Sequence, residues 1–312
     1  MRTIGTKPSV KCIVCDSQEQ KLLFTDVEDL EYGTYKPVNY ILCRNCNLIS
    51  QYPPPQTNLL PTFYPNEYRN YLPVKKNLFS SLKEIQFKNL ASKITKHISD
   101  NNTRILEIGF GNGQLLLALK QKGFKNLYGS DFTDKVFSSL KDSGIKLAMS
   151  NIEESFPRFT NKDESFDVII MNNVIEHFLD PIKVLKNCQR HLSNNGTIIL
   201  ITPNGNALES SIFKNHWAGF HAPRHTFIFS DNNIKLISKN LGFKTVEIES
   251  MTDPGQWSIS IQNILQSSKL TRTNLKNGMA WYLMPLSLLF SPIAAFQNLI
   301  HKSTSMMCVL KS

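Results

Sequence analysis

The chain has 312 residues, 41% hydrophobic and 19% charged, with 35 Lys plus Arg against 25 Asp plus Glu and a formal net charge of +10. That length holds one large domain with an appendage or two modest ones, and the composition excludes disordered, collagen-like and fibrous chains. The charge is uneven: no acidic residue follows Asp253, while Lys269, Arg272, Lys276, Lys302 and Lys311 put +5 into the last 59 residues, so overall basicity is weak ground for a nucleic-acid partner.

In chain order, Met1 to Val10 carries Arg2 and Lys7 but no apolar run of the length a secretory signal needs, and the expectation is a cytoplasmic protein. In a reducing compartment paired cysteines are read first as metal ligands. Cys12-Ile-Val-Cys15 and Cys43-Arg-Asn-Cys46 form two knuckles with 27 residues between them. Two residues between thiolates let both bend onto one ion, and two such turns complete a tetrahedral zinc site of the ribbon type. Four reduced thiols, or a redox pair, are the alternatives. Leu22, Phe24, Tyr32, Tyr35 and Tyr40 in the interval suit a small hairpin whose core is too slight without metal. Cys188 and Cys308 stand alone and read as buried small hydrophobes.

Tyr52-Pro-Pro-Pro-Gln56 ends this module as an extended stop. An aromatic stretch follows (Phe63, Tyr64, Tyr68, Tyr71), then a helix from about Leu78 to Ile98 with Leu78, Leu82, Ile85, Leu90 and Ile94 on its apolar side, expected to cover the next domain. From Thr103, short β-rich runs alternate with helical stretches, the mark of βαβ units and a parallel sheet. The strands are expected at 104–108, 126–130, 145–149, 166–171, 197–202, 244–249 and 306–310, a doubly wound, seven-stranded α/β sheet. Asp180-Pro181 starts one helix, and Ser230 starts another that Gly242 closes.

The first of these strands runs Arg104-Ile-Leu-Glu-Ile-Gly-Phe-Gly-Asn-Gly113. Glycines at 109, 111 and 113 allow a tight turn and close approach of a ligand at the positive end of the following helix. The nicotinamide fingerprint fails, because Gln114 and Leu116 stand where its third glycine falls, and no G-K-S/T phosphate loop is present. The pattern present, acidic-x-G-x-G-x-G from Glu107 to Gly113, resembles that of class I S-adenosylmethionine-dependent methyltransferases. Motifs in the same order run from about Thr103 to Gly205, including Phe166-Asp-Val-Ile-Ile-Met-Asn-Asn-Val-Ile-Glu-His-Phe-Leu-Asp-Pro181 and Leu192-Ser-Asn-Asn-Gly-Thr-Ile-Ile-Leu-Ile-Thr-Pro203. The resemblance implies a Rossmann-like methyltransferase sheet with S-adenosylmethionine as cofactor. Glu107, Gly109, Gly111 and Gly113 would surround its methionine part, Asp131 with Phe132 beside it would bind the ribose hydroxyls, Asn151 and Ile152 would flank the adenine, and Asn172 would emerge at the strand's carboxyl end. Asn151 departs from the aspartate usual in the family.

Methyl transfer from a sulfonium requires alignment and exclusion of water, and a hydroxyl acceptor also needs a base. His177 follows the fourth strand. His216, His221 and His225 cluster with Trp217, Phe220 and Arg224 within eleven residues, 215–225. The expectation is an acceptor pocket with His177, His221 or His225 as base, Trp217 lining it and Arg224 pairing with an anionic group. The fourth strand lacks the Asn/Asp-Pro-Pro-aromatic clamp of base-amine methylation, and Cys188 is badly placed as a nucleophile, so nucleic acid ranks below a sugar, lipid-linked or other small-molecule acceptor. A four-cysteine module ahead of this domain also resembles methyltransferases of sugar-nucleotide and polysaccharide synthesis.

The expected organisation is a zinc-ribbon-like module at 1–52, a Pro/Tyr-rich linker and covering helix at 53–102, and a methyltransferase domain at 103–312. Its uncharged insertion at 279–300 reads as a lid, a dimer contact or an interfacial helix drawn to anionic lipid by flanking lysines, with core helices as the alternative. The expected activity is direct methyl transfer, at oxygen, with zinc structural and no catalytic metal. The second reading is an RNA methyltransferase that holds the phosphate backbone with ribbon and tail, and the third is a cofactor-binding partner without activity.

Overall fold

The structure, a computed structural model, describes residues 10–72, 78–160, 164–271 and 280–312. Residues 1–9, read above for a leader, lie outside the described residues, as do Arg272, Lys276 and Met279 of the tail.

Three strands come first, β1 (Gln20–Val27), β2 (Val38–Cys43) and β3 (Ile49–Tyr52), followed by helix α1 (Leu78–Ile94). The central part is β4 (Arg104–Ile108), α2 (Gln114–Gln121), β5 (Asn126–Asp131), α3 (Phe137–Leu140), β6 (Lys146–Met149), β7 (Phe166–Asn172), α4 (Pro181–Arg190) and β8 (Leu192–Pro203). The chain closes with α5 (Leu208–Phe213), β9 (Phe227–Ile228), α6 (Asp231–Leu241), β10 (Thr245–Met251), α7 (Gly255–Ser267), α8 (Leu283–Leu299) and β11 (Ser305–Lys311).

The large sheet has seven strands in the order β10-β11-β8-β7-β4-β5-β6. Strands β4 to β8 pair in parallel, as the alternating pattern requires. The sheet is nevertheless mixed, because β11 returns antiparallel between β8 and β10. A terminal strand that needs no crossover helix can enter in the reverse sense. Successive side chains alternate faces: Ile198 and Leu200 join one buried layer with α4 and α6, whereas Ile199 and Ile201 join the other with α1 and α2. Both faces are covered, so β7 and β8 read as nearly continuous apolar runs.

The expected caps form. Asp180 accepts from the Lys183 amide with Pro181 opening α4, and Ser230 and Asn233 make a reciprocal capping box on α6, closed by Gly242 in the left-handed region. Helix α1 follows its expected apolar side only in part. Leu90 and Ile94 are buried against α2 and β4, whereas Leu82 and Ile85 are exposed.

The small sheet does not close within the first 52 residues. Its order is β1-β2-β3-β9, and the fourth strand comes from far along the chain, pairing Ile49 with Ile228 and Ser50 with Phe227. Tyr40, fully buried on β2, packs on Phe220, and its hydroxyl reaches the carbonyl oxygens of Phe220 and His225 at 3.3 and 3.0 Å. The cysteine knuckles rest on α6, where Asn233 and Asn240 donate side-chain hydrogen bonds to the Cys46 and Val14 carbonyls. The N-terminal module is thereby built into the surface that carries the histidine loop.

Candidate active site and cysteine cluster

Each knuckle turns the same way. The residue after the second cysteine, Asp16 or Asn47, has a positive φ, and its amide donates to the carbonyl of the first, Cys12 or Cys43, at 2.9 Å. Asp and Asn tolerate that region better than other side-chain-bearing residues. The two turns bring four sulfurs within 4.8 Å of one another, with Cys12–Cys46 at 3.5 Å and Cys15–Cys43 at 3.6 Å. Sulfurs at about 2.3 Å from a tetrahedral zinc lie roughly 3.8 Å apart, so the donor set is compatible with a zinc ribbon. The thiol of Cys46 beside it holds Cys12 down to about 5, which favours a thiolate in the set before any ion arrives. Cys188 and Cys308 are buried in the core.

The second site lies where β4 has β5 on one side and β7 on the other, the reversal point at which doubly wound sheets open a crevice at their carboxyl ends. Gly109, Gly111 and Gly113 all have positive φ. A Cβ on Gly109 would stand 2.5 Å from Val174, and one on Gly113 would stand 2.4 Å from Leu140. Glycine is thus demanded by both conformation and space. Asp131, at the end of β5, accepts from the amides of Gly111 at 3.0 Å and Thr133 at 3.3 Å, and burial raises it to about 6. Glu107 is 2% exposed, its Oε2 has no partner, and burial and the Asp131 charge push its carboxyl well up. A buried carboxylate oxygen without a donor is costly, and the ammonium of an amino-acid moiety is a donor that fits it. The crevice therefore suits S-adenosylmethionine: a glycine turn without Cβ atoms, an orphaned acid for the methionine part and a second acid for the ribose.

The remaining expected contacts are placed as follows. Ile152 is buried behind the crevice. Asn151 is exposed and held within its own turn, accepting from the Glu153 amide and donating to Glu154 at 2.9 Å. Asn172 accepts from the side chain of Asn173 at 3.1 Å. Phe132 is half exposed and faces the rings of Tyr64 and Tyr71 at 5.6 and 5.7 Å.

Those tyrosines belong to a cover whose role the sequence did not disclose. The 64–71 segment lies over the glycine turn, so that a Cβ on Gly111 would meet the Asn70 carbonyl at 3.3 Å. Tyr64, Tyr68 and Tyr71 pack on one another, and the Tyr64 hydroxyl reaches His177 Nδ1 at 3.1 Å. The sequence showed these residues only as an aromatic stretch; the spacing of four and three residues between the tyrosines is the signal that could have placed them on one face.

Beyond the cover, three histidine rings come together, His177–His225 at 4.7 Å and His221–His225 at 5.2 Å between centroids. A carbonyl only accepts, so His177 Nδ1 carries the proton it gives Arg224 O at 3.0 Å, and His225 Nδ1 the one it gives Gly219 O at 2.7 Å. Burial lowers His177 to about 3 and His225 well below the usual imidazole range, leaving both neutral. Glu176, fully buried and raised to about 8 by burial, sits 3.8 Å from His225 Nε2. His221 pairs through Nδ1 with Glu31 of the N-terminal module at 2.9 Å, the geometry by which a carboxylate orients an imidazole for base chemistry.

One expected acceptor contact, Arg224, is corrected, and Trp217 is largely taken up by packing. Arg224 is 1% exposed, and its guanidinium grips Asp29 at 2.7 and 3.3 Å, donates to the carbonyls of Phe63 and Ala222, and lies over the Tyr32 ring. It is committed to holding the N-terminal module and the cover against the loop, and is not free for an anionic group. Trp217, also 1% exposed, packs with Phe220 and against Gly219 in a core cluster, and it borders only a shallow cavity of about 10 Å³ that Glu31 and His221 also line. Asp29, Glu31 and Glu176 are the partners sequence reasoning missed.

A seven-stranded sheet with a glycine turn and a buried acid at its reversal point is the architecture of a Rossmann-like methyltransferase. The family model described as "Methyltransferase domain" matches residues 78–248, more than half of the chain, and the chain belongs to that family. An uncharacterized protein of Methanocaldococcus jannaschii is 24% identical over 190 residues, 61% of this chain and 79% of its own length. A ubiquinone biosynthesis O-methyltransferase of Rickettsia felis is 30% identical over 127 residues, 38% of this chain and 50% of that protein. The chain thus spans only half of that enzyme. Among solved structures, phosphoethanolamine N-methyltransferase 2 of Haemonchus contortus, in complex with S-adenosyl-L-methionine, superposes with a TM-score of 0.52 at 15% identity, covering 85% of this chain and 62% of that one. The protein is a methyltransferase of this family, with a crevice that suits S-adenosylmethionine.

Proposed function

We propose that the acceptor is a hydroxyl oxygen of a sugar, a glycolipid precursor or another small molecule, that His221 is its base, and that the cysteine cluster holds one structural zinc. The observation that carries the acceptor reading is the Glu31–His221 pair at 2.9 Å, inside a histidine cluster walled by Tyr32, Tyr64 and Tyr68. With Nδ1 tied to a carboxylate, the imidazole offers Nε2 to a hydroxyl proton, and Glu31 stabilises the imidazolium that results. When bound, S-adenosylmethionine supplies an electrophilic methyl group on a sulfonium. Glu107 and Asp131 would hold the cofactor's two ends, and the tyrosine cover would exclude water. Neutralisation of Arg224 by Asp29 removes the cation that an anionic acceptor would have used, which supports an uncharged hydroxyl and weakens the RNA reading.

The test is transfer of labelled methyl from S-adenosylmethionine into fractionated extract, with His221→Asn and Glu31→Gln alongside the wild type. Label should enter uncharged sugar or glycolipid fractions, and both variants should lose about 10²–10⁴-fold in kcat while keeping cofactor affinity. Label entering RNA alone, or full activity in His221→Asn, would overturn the reading.

A further inference from the structure

Helix α8 is turned inside out. Its exposed positions are all apolar, with Leu288, Leu289 and Leu299 each at least two-thirds exposed and Ile293 and Phe296 beside them. Its polar side chains point inward: Gln297 accepts from Trp257 Nε1 at 2.8 Å and donates to Lys302 O and to Glu209, and Ser287 bonds Ser258 at 2.8 Å. Trp281, just before the helix, is 84% exposed. A surface helix in water shows the opposite arrangement, and a contiguous apolar face of this kind marks an interaction surface.

The charge around the helix selects the partner. With no acid after Asp253, the tail carries only Lys and Arg, among them Lys269 before the helix and Lys302 just after it, both exposed. A symmetric contact between two copies would press two acid-free tails together, whereas an anionic lipid surface neutralises them. Among the described residues no helix is long and apolar enough to cross a membrane, and α8 has Pro292 inside it. A short apolar face with a tryptophan at one end and cations beside it suits the plane of the headgroups.

We propose that the outward face of α8, together with Trp281, docks on an anionic lipid surface. The consequence reaches the acceptor loop through one intervening helix. Trp257 of α7 stacks on Phe290 of α8, while Ser260 and Asn263 of α7 bond the Ala218 amide and the His216 carbonyl. Docking would hold the histidine loop one helix away from the bilayer. The proposal rests on the α8 surface and stands whichever acceptor is methylated.

The full chain would be centrifuged with vesicles of phosphatidylcholine alone and of phosphatidylcholine with phosphatidylglycerol, at low and high salt. It should pellet with the anionic vesicles, less so at high salt. The Leu289→Ser/Phe296→Ser variant should partition at least about tenfold more weakly, with S-adenosylmethionine affinity unchanged. Trp281→Ser, outside the helix, supplies the same comparison if the double variant does not fold. A wild-type chain that stays in the supernatant at saturating anionic lipid overturns the proposal. So does a dimer, seen by sedimentation velocity, that the double variant dissociates, since the face would then belong to a second copy.

Discussion

Arg224 and Asp29 stand 195 residues apart in sequence and 2.7 Å apart in space, with side chains 0% and 1% exposed. Asp29→Ala removes the carboxylate and strands a buried guanidinium whose Nε already lacks a partner. Breaking a buried ion pair from one side costs about 3–5 kcal/mol. The carboxylate also accepts from Tyr32 N, Thr34 N and the Thr34 hydroxyl, each adding about 1 kcal/mol when lost. The total is about 6–8 kcal/mol. Against a stability on the order of 5–15 kcal/mol, the variant should be close to unfolding, with a Tm lower by roughly 12–32 °C at about 2–4 °C per kcal/mol. The double variant Asp29→Leu/Arg224→Met leaves no charge stranded and should regain most of the loss, since apolar replacement of a whole buried pair is often near neutral. Urea and thermal unfolding of the full chain measure both. Burial alone would raise the Asp29 carboxyl, but the charge and hydrogen bonds of Arg224 outweigh it and hold the group below the usual carboxylate range. That stability is therefore present above about pH 4 and lost as pH falls through the depressed value. Asp29→Ala should lack this acid limb. A loss under about 1 kcal/mol in Asp29→Ala, with Arg224→Met weakening acceptor binding alone, would refute the structural role and return Arg224 to the acceptor.

Two further outcomes follow from the sites. Purified chain should carry about one zinc, released by a thiol-blocking mercurial. Cys43→Ser should lose the ion and lower the Tm of the whole chain, because the knuckles rest on α6; zinc-free protein of full stability would dismiss the metal. Asp131→Ala should weaken S-adenosylmethionine binding by at least about a hundredfold, the order expected for two charge-assisted hydrogen bonds. In the wild type, burial raises this carboxyl to about 6. The apo chain accordingly loses stability as pH rises through 6, while the cofactor, donating ribose hydroxyls to the ionised acid, gains affinity over the same window. Calorimetric affinities that are flat from pH 5 to 7 in that titration would remove Asp131 from the ribose role.

The strands of the large sheet were legible because each is a short apolar run bounded by polar turns, and the observed ends fall within a few residues of those expected; only the reversed sense of β11 was hidden, since strand direction leaves no periodic mark. The glycine turn was legible for a different reason, as backbone conformation at 109, 111 and 113 admits few other residues. The acceptor side was far less so. Arg224 in a loop full of histidines reads as a ligand group until Asp29 is placed against it, and nothing local to either residue records the other. The same limit concealed Glu31 beside His221, and β9 beside β3. Trp217 shows a second limit: an aromatic in a loop is ambiguous between lining a cavity and filling one, and this side chain mostly fills, leaving about 10 Å³ beside Glu31 and His221. For 279–300, absence of charge was visible, but the inward turn of Gln297 and Ser287 was not, because it depends on polar partners on α5 and α7.

The pairing of β3 with β9 also sets a schedule. Ile49 must wait for Ile228, about 180 residues later, which at ordinary elongation speeds of 5–20 residues per second is roughly ten to forty seconds of synthesis. Until then the edge of β3 offers unpaired amides and carbonyls to any passing strand. A bound ion that stiffens the knuckles early would shield the nascent chain during that interval. Expression in zinc-depleted cells should then yield aggregate as well as metal-free protein, a cost incurred on the ribosome before the active site exists.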